Sequence, residues 1–209
     1  MQQTIEAWCL NHPAIVSYFA ILNKAEVRWA IFAGTSVSLL TGNRMPTDLD
    51  IIVHDDDFEA LHRLTPQAKA SLPLSVDLPT GDTQILHYEG CELTFVLDNT
   101  DIEIMAKAHE RVNEARYNIS FSDLAVAHRL LIETSQTSIY IANPFDTIAI
   151  KAIMQRGSAQ NKFDLEDTQV LIKTMMIDAQ YAKERATEIG LDDRAFNFLQ
   201  KAGLKVIVD

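Results

Sequence analysis

The sequence predicts an α+β protein: a mixed β-sheet flanked by helices, with a helical region at the C-terminal end. Short runs rich in β-branched and aromatic residues, closed by Gly or Asp-Asn turns, recur through the first two thirds of the chain. Segments with helical periodicity or capping signals separate them. From Asn143-Pro144 onward the patterns are helical. With 209 residues, 47% hydrophobic and 22% charged, the chain can bury a core and holds one large domain or two small ones. The expected division is an α/β core with N-terminal helices over 1–142 and a helical region over 143–209.

Taken in order, residues 13–24 have the spacing of an amphipathic helix, with Pro13 near its start. The run 27–33, Val-Arg-Trp-Ala-Ile-Phe-Ala, reads as a buried strand ending at Gly34. A short helix over 35–41 is stopped by Gly42-Asn43, because glycine readily takes the left-handed conformation of a helix end. The chain then passes through Arg44-Met45-Pro46-Thr47 into a second strand, Asp48–Val53. Asp55 is placed to cap a helix reaching about Leu64, and Asp56, Asp57 and Glu59 suit its positive N-terminal end. Further β segments are expected at 84–89, 92–97 and 101–105, punctuated by Gly81, Gly90 and Asp98-Asn99. A strand over 137–142 meets Asn143-Pro144, an N-cap followed by proline at the first helical position; Ile148, Ile150, Ile153 and Met154 carry that helix to Arg156-Gly157. Helices at about 163–178 and 192–202 complete the chain. No internal repeat or linker is evident.

Charge and cysteine content narrow the function. The formal charge of −11 falls within residues 1–150, which hold 9 basic and 20 acidic side chains, while 151–209 hold 9 of each. Binding to long nucleic acid or anionic membranes draws on Lys and Arg, so this balance disfavours both. Only Cys9 and Cys91 are present, without a metal-type spacing. The uncharged stretches are too short and too interrupted to span a bilayer. A cytoplasmic protein is expected.

The candidate chemistry lies at Asp48 and Asp50. Their i, i+2 spacing on a strand puts both carboxylates on one face and sends Leu49 and Ile51 to the other. Two adjacent carboxylates repel unless a cation lies between them, and oxygen ligands of this kind suit Mg²⁺. Fourteen residues before Asp48, counted from Gly34, a strand-to-helix junction carries Ala33-Gly34-Thr35-Ser36. A glycine there lets the backbone approach a ligand, and N–H groups opening the helix, with the Thr35 and Ser36 hydroxyls, can take phosphate oxygens.

The stretch Ala33-Gly34-Thr35-Ser36, Arg44 and Thr47-Asp48-Leu49-Asp50-Ile51-Ile52-Val53 resembles the signature of the polymerase-β-like nucleotidyltransferase superfamily. In that signature a Gly-Gly-Ser/Thr element, a short helix and an acidic-hydrophobic-acidic strand follow one another; here Ala33 replaces the first glycine. The resemblance implies the nucleotidyltransferase fold and a third carboxylate on a later strand. Asp101-Ile102-Glu103-Ile104-Met105 matches, with Asp101 and Glu103 on one face and Glu103 the more central. A second segment, Asn143-Pro144-Phe145-Asp146, Lys151, Arg156 and Lys162-Phe163-Asp164-Leu165-Glu166-Asp167, is similar to small bacterial nucleotidyltransferases of antibiotic-modifying and abortive-infection toxin types. It implies Lys151 and Arg156 as nucleotide contacts, with Asp164 or Asp167 orienting basic groups.

The function so implied is transfer of a nucleoside monophosphate from an NTP, such as ATP, to an acceptor hydroxyl with release of pyrophosphate. Asp48, Asp50 and Glu103 would hold Mg²⁺ or Mn²⁺, and Gly34, Thr35 and Ser36 would grip the phosphates. The acceptor is expected to be a small molecule or a protein. The alternatives are a catalytically silent nucleotide- or partner-binding module of the same fold, or the toxin of a toxin–antitoxin pair with an antitoxin partner. None of the six histidines shows ligand spacing.

Overall fold

A computed structural model describes residues 2–43, 48–82 and 84–205 of the chain. Arg44 and Thr47, which carry part of the resemblance, lie outside them.

Two helices, α1 (Gln2–Asn11) and α2 (Pro13–Lys24), precede β1 (Trp29–Ile31), α3 (Ala33–Thr41), β2 (Asp48–Val53) and α4 (Phe58–Leu64). Three long strands follow: β3 (Lys69–Pro79), β4 (Ile85–Leu97) and β5 (Thr100–Val112). Then come β6 (Ala115–Asn118), α5 (Asp123–His128), β7 (Leu130–Glu133) and β8 (Ser138–Ile141). The chain ends in α6 (Pro144–Met154), α7 (Asp164–Thr174), α8 (Ala179–Ile189) and α9 (Asp193–Ala202).

The strands form one mixed sheet in the order β3-β4-β5-β2-β1-β8-β7, with β6 paired to β5 beyond the end of β2. β2 lies antiparallel to β1 and parallel to β5. Alternation along β1, β2 and β5 divides the interior. Trp29, Ile31, Leu49, Ile51, Ile102 and Ile104 belong to the main core, where Phe19 of α2 stacks on Trp29 at 4.5 Å. Ala30, Phe32 and Ile52 face the other side and pack with Phe121, Ala125 and Ala142 in a smaller cluster. Asp48 and Asp50 share the parity of Ile52, so they belong to this second face.

Local signals explain most of the matching elements. Asn143 caps α6 by accepting from the Phe145 N–H at 3.0 Å, with Pro144 at the first helical position. Gly42 ends α3 in the left-handed conformation, φ 66°. Elsewhere the structure corrects the sequence reading. Asp55 does not cap α4: its carboxylate accepts the Lys107 N–H at 2.7 Å, and residues Asp55–Asp57 form a 3-10 turn capped by His54. The segments expected at 84–89 and 92–97 are one strand, continuous through Gly90. There the ladder shifts register and a Cβ would stand 2.7 Å from the Tyr88 hydroxyl. The helix expected over 163–178 ends at Thr174, and α8 follows as a separate helix capped by Asp178.

Candidate active site

The parallel register of β2 and β5 sets Asp48 beside Asp101 and Asp50 beside Glu103. Leu49, Ile51, Ile102 and Ile104, all at most 1% exposed, anchor the opposite faces of both strands. A one-residue slip would therefore bury the carboxylates and expose the core, so packing fixes their position. Asp50 is the most perturbed of the group. Burial, then the charges of Asp48 and Glu103, push its carboxyl up to about 7 against the opposing pull of Lys162 and Lys151. Glu103 is also raised, by partial burial first and then by Asp48. This is the electrostatic signature of like charges held together. The donors are hard oxygens of the kind Mg²⁺ prefers, so the side chains fit a divalent ion in chemistry. Among the described residues, no three His, Cys, Asp or Glu groups are gathered tightly enough to form a ligand set.

The junction at β1 and α3 stands next to this face. Phe32 at the N-cap donates its N–H to the Asp50 carbonyl at 2.9 Å, and the Thr35 hydroxyl donates to the Asp48 carbonyl at 2.6 Å. α3 is thus bolted to the backbone of the strand that bears the carboxylates. Ala33, where the resembled family has its first glycine, takes φ 49°, the left-handed region that glycine occupies without strain.

The two hydroxyls expected to meet phosphate are spent inside the protein. Thr35 and Ser36 are fully buried, and Ser36 donates to the Ala33 carbonyl at 2.8 Å while its oxygen lies 2.9 Å from the Thr147 hydroxyl. Ser36 also gives its N–H to the Phe32 carbonyl. What the helix start can offer a ligand is the N–H groups of Ala33, Gly34 and Thr35, which precede the first intrahelical bond.

Lys151 and Arg156 meet different fates. Lys151 is 4% exposed, and its ammonium donates to Asp164 at 3.2 Å and Asp167 at 2.8 Å. The pairing of these aspartates with Lys151 agrees with their expected orienting role, and the lysine charge still reaches Asp50. Arg156 bonds Asp164 through its backbone N–H at 2.7 Å and its Nε at 3.2 Å, and its charge acts on Glu110 of β5. The structure does not gather it with the three carboxylates.

Two further residues belong to the carboxylate face. Lys162 is exposed, precedes α7 and pulls down both Asp50 and Glu103. Its place two residues before Asp164 in the second resembling segment was the available signal. Glu92 of β4 is raised by burial and by Glu103. It follows Gly90, where the sequence suggested a break between strands, and only the cross-strand register brings it near.

No family model matches the chain, and no curated protein matches it. Solved structures do. An antigenic nucleotidyltransferase-like protein from Paracoccidioides brasiliensis aligns with a TM-score of 0.50 and 17% identity, covering 93% of this chain and 92% of that one. TM1012 of Thermotoga maritima, a candidate nucleotidyltransferase, aligns with a TM-score of 0.39 and 19% identity over 61% of this chain and 78% of its own. The fold assignment rests on the first of these, together with the strand order and the helix that joins β1 to β2. The chain has a nucleotidyltransferase-like fold.

Proposed function

We propose that the protein is a metal-dependent nucleotidyltransferase that moves a nucleoside monophosphate from an NTP to an acceptor hydroxyl. The observation that carries this reading is the parallel register of Asp50 with Glu103, which sets repelling carboxylates on a face flanked by Lys162 and by the N-terminus of α3. A divalent ion, Mg²⁺ or Mn²⁺, held by Asp48, Asp50 and Glu103 would neutralise the phosphates and polarise the reacting phosphorus centre. The N–H groups at Gly34 and Thr35 would orient terminal phosphate oxygens, and Lys162 would add positive charge to them. Lys151, held by Asp164 and Asp167, would act on Asp50 as a fixed charge. Catalysis of this type is positioning and charge neutralisation, with no covalent bond to the protein. A small-molecule or protein acceptor remains the favoured class, because the face around the carboxylates carries Asp101 and Glu92 besides the three ligand candidates.

Radiolabelled NTPs with Mg²⁺, incubated with a lysate fraction as the source of acceptor, test this directly. Labelled product that vanishes in Asp48→Asn and Asp50→Asn is expected. Undiminished labelling in either variant would remove that residue from the mechanism. The commitment of the Thr35 and Ser36 hydroxyls to protein partners favours one second reading, a silent nucleotide-binding module. It predicts a rise in melting temperature with an NTP and Mg²⁺ but no labelled product.

A further inference from the structure

The segment between α6 and α7, residues 155–163, has no buried residue. A loop without core packing is ordinarily among the first parts of a fold to open. This one is tied down by hydrogen bonds, and its partners lie far away in the chain. The Gly81 N–H of the β3–β4 turn donates to the Met154 carbonyl at 3.2 Å. The Gln160 side chain donates to the Thr80 carbonyl at 3.4 Å, while its oxygen accepts the Gly157 N–H at 3.1 Å. Arg194 of α9 secures the other side: it donates to the Ile153 carbonyl at 2.7 Å and holds Asp82 through bonds of 2.8 and 2.9 Å.

Gly81 is the closest approach. A Cβ there would stand 1.5 Å from the Gln155 carbonyl oxygen, which is backbone and cannot swing aside as a side chain can. Gly81 does not take a left-handed φ, so what it supplies is space. Gln155 does take one, at 50°, a strained conformation that persists where the surroundings enforce it. The loop is closed at its far end as well. The Lys162 N–H donates to the Gly157 carbonyl at 3.1 Å, and the Arg156 N–H donates to the Asp164 carboxylate at 2.7 Å. Lys162 therefore sits at the neck of a loop braced from two directions. Lys151 and Arg156 are paired with Asp164 and Asp167, whereas Lys162 forms no ion pair among the described residues. Its charge instead reaches Asp50 and Glu103.

We propose that Gly81 and Gln160, backed by the Asp82–Arg194 pair, are positioning residues: they hold the 155–163 loop against the β3–β4 turn so that the Lys162 ammonium is fixed where nucleotide phosphates bind. The proposal rests on the transferase reading, in which Lys162 adds positive charge to those phosphates. An ammonium on a flexible four-carbon stem is a point charge without the fixed fork of a guanidinium, so its aim depends on the backbone that carries it. Fixing that backbone in advance lowers the ordering cost of binding.

Isothermal titration with ATP and Mg²⁺ tests it through double-mutant cycles. Lys162→Ala should weaken binding by roughly tenfold, and Gly81→Ala and Gln160→Glu by roughly three- to tenfold each. Gln160→Glu keeps an acceptor for the Gly157 N–H and loses the donor to Thr80, so it isolates the tie between the loop and the turn. Combined with Lys162→Ala, neither substitution should weaken binding further, because each acts through that lysine. Hydrogen exchange at the Gln160, Asn161 and Lys162 amides, measured without nucleotide, should quicken in both positioning variants, with melting temperatures showing that the fold is kept. Losses that add in the double variants, or affinity unchanged in Gly81→Ala and Gln160→Glu, would overturn the positioning role while leaving the transferase reading standing. Absence of ATP binding by the unmodified chain would bring down that reading, and the proposal with it.

Discussion

Asp50 is held between opposing demands. Its carboxyl sits beside two others on a partly buried face, which raises it from the ordinary 3.8 to about 7. Between those values the folded chain holds a proton that the unfolded chain has released, so this group weakens the fold progressively as pH rises through that window. Asp50→Asn removes the conflict while keeping the shape. The variant should lose transfer activity yet melt higher than the unmodified chain at pH 8, by about 1–3 kcal/mol in unfolding free energy. At pH 4 the two should be nearly equal, because Asp50 is then mostly protonated in the fold. Melting curves at both pH values, without divalent cation, check this; equal gains at the two pH values would assign the effect to packing instead.

Ala33 makes a smaller argument of the same kind. A left-handed alanine costs roughly 1–2 kcal/mol, and glycine gives part of that back through its greater freedom in the unfolded chain. Ala33→Gly should therefore raise stability by about 0.5–1 kcal/mol in chemical denaturation. A loss would show that the alanine methyl contributes packing that outweighs the strain.

At the scale of elements, the α6–α7 pair is organised by buried charge. Lys151 answers two aspartates that are nearly or wholly inaccessible, and Asp164 also ties down the chain at Arg156. Lys151→Met would keep the volume and take the ammonium from both carboxylates, leaving Asp164 with Arg156. Removing one partner of such a buried set costs about 3–5 kcal/mol, so a large drop in the urea midpoint is expected. A companion Asp167→Asn substitution should recover part of the loss, since the aspartate that remains, Asp164, is still paired with Arg156.

What was legible in the sequence follows the range of the forces involved. The carboxylate pair, the Gly42 stop and the Asn143-Pro144 start depend on neighbours within a few residues, and the structure has each of them. The sequence leaves Ser36 open as a phosphate donor because its partner, Thr147, lies 111 residues away in the chain. β3 gave no alternating signal: it is a sheet edge without a fully buried residue along its length. α8 buries Tyr181, Ala182, Arg185, Ala186 and Ile189, a stripe disguised by a buried arginine that donates to Asp146 at 2.7 Å. The resemblance implies Arg156 as a nucleotide contact from its place in the segment, and the tertiary fold bonds it to Asp164.

For the whole molecule, these carboxyls predict the shape of stability against pH. Two groups act on the acid side. Asp57 is held below its ordinary value, foremost by hydrogen bonding to Arg28, and Arg194 bonds Asp82 and holds it at about 2, linking the β3–β4 turn to α9. Their contribution is complete above the unfolded value of 3.8 and is lost as pH falls toward 2. Four carboxyls act in the opposite sense, Glu103 and Glu92 to a lesser degree and two more strongly. Asp50 and Glu110, raised by burial to about 7 and about 8, hold protons in the fold that the unfolded chain gives up near 4. Their effect is a decline in stability from about pH 4 to pH 8. His87 adds to that decline, since its bonds to Asp77 and Glu89 raise it and their benefit fades as the ring deprotonates. Stability should therefore peak near pH 4–5, unusually acid for a folded chain, and fall on both sides. A series of urea denaturations from pH 2.5 to 8.5 measures this. In Glu110→Gln and Asp50→Asn together, the fall above pH 5 should flatten while the acid limb stays unchanged. A peak near pH 7 in the unmodified protein would mean that the two carboxyls are ionised in the fold without penalty, and that solvent or a bound cation reaches them.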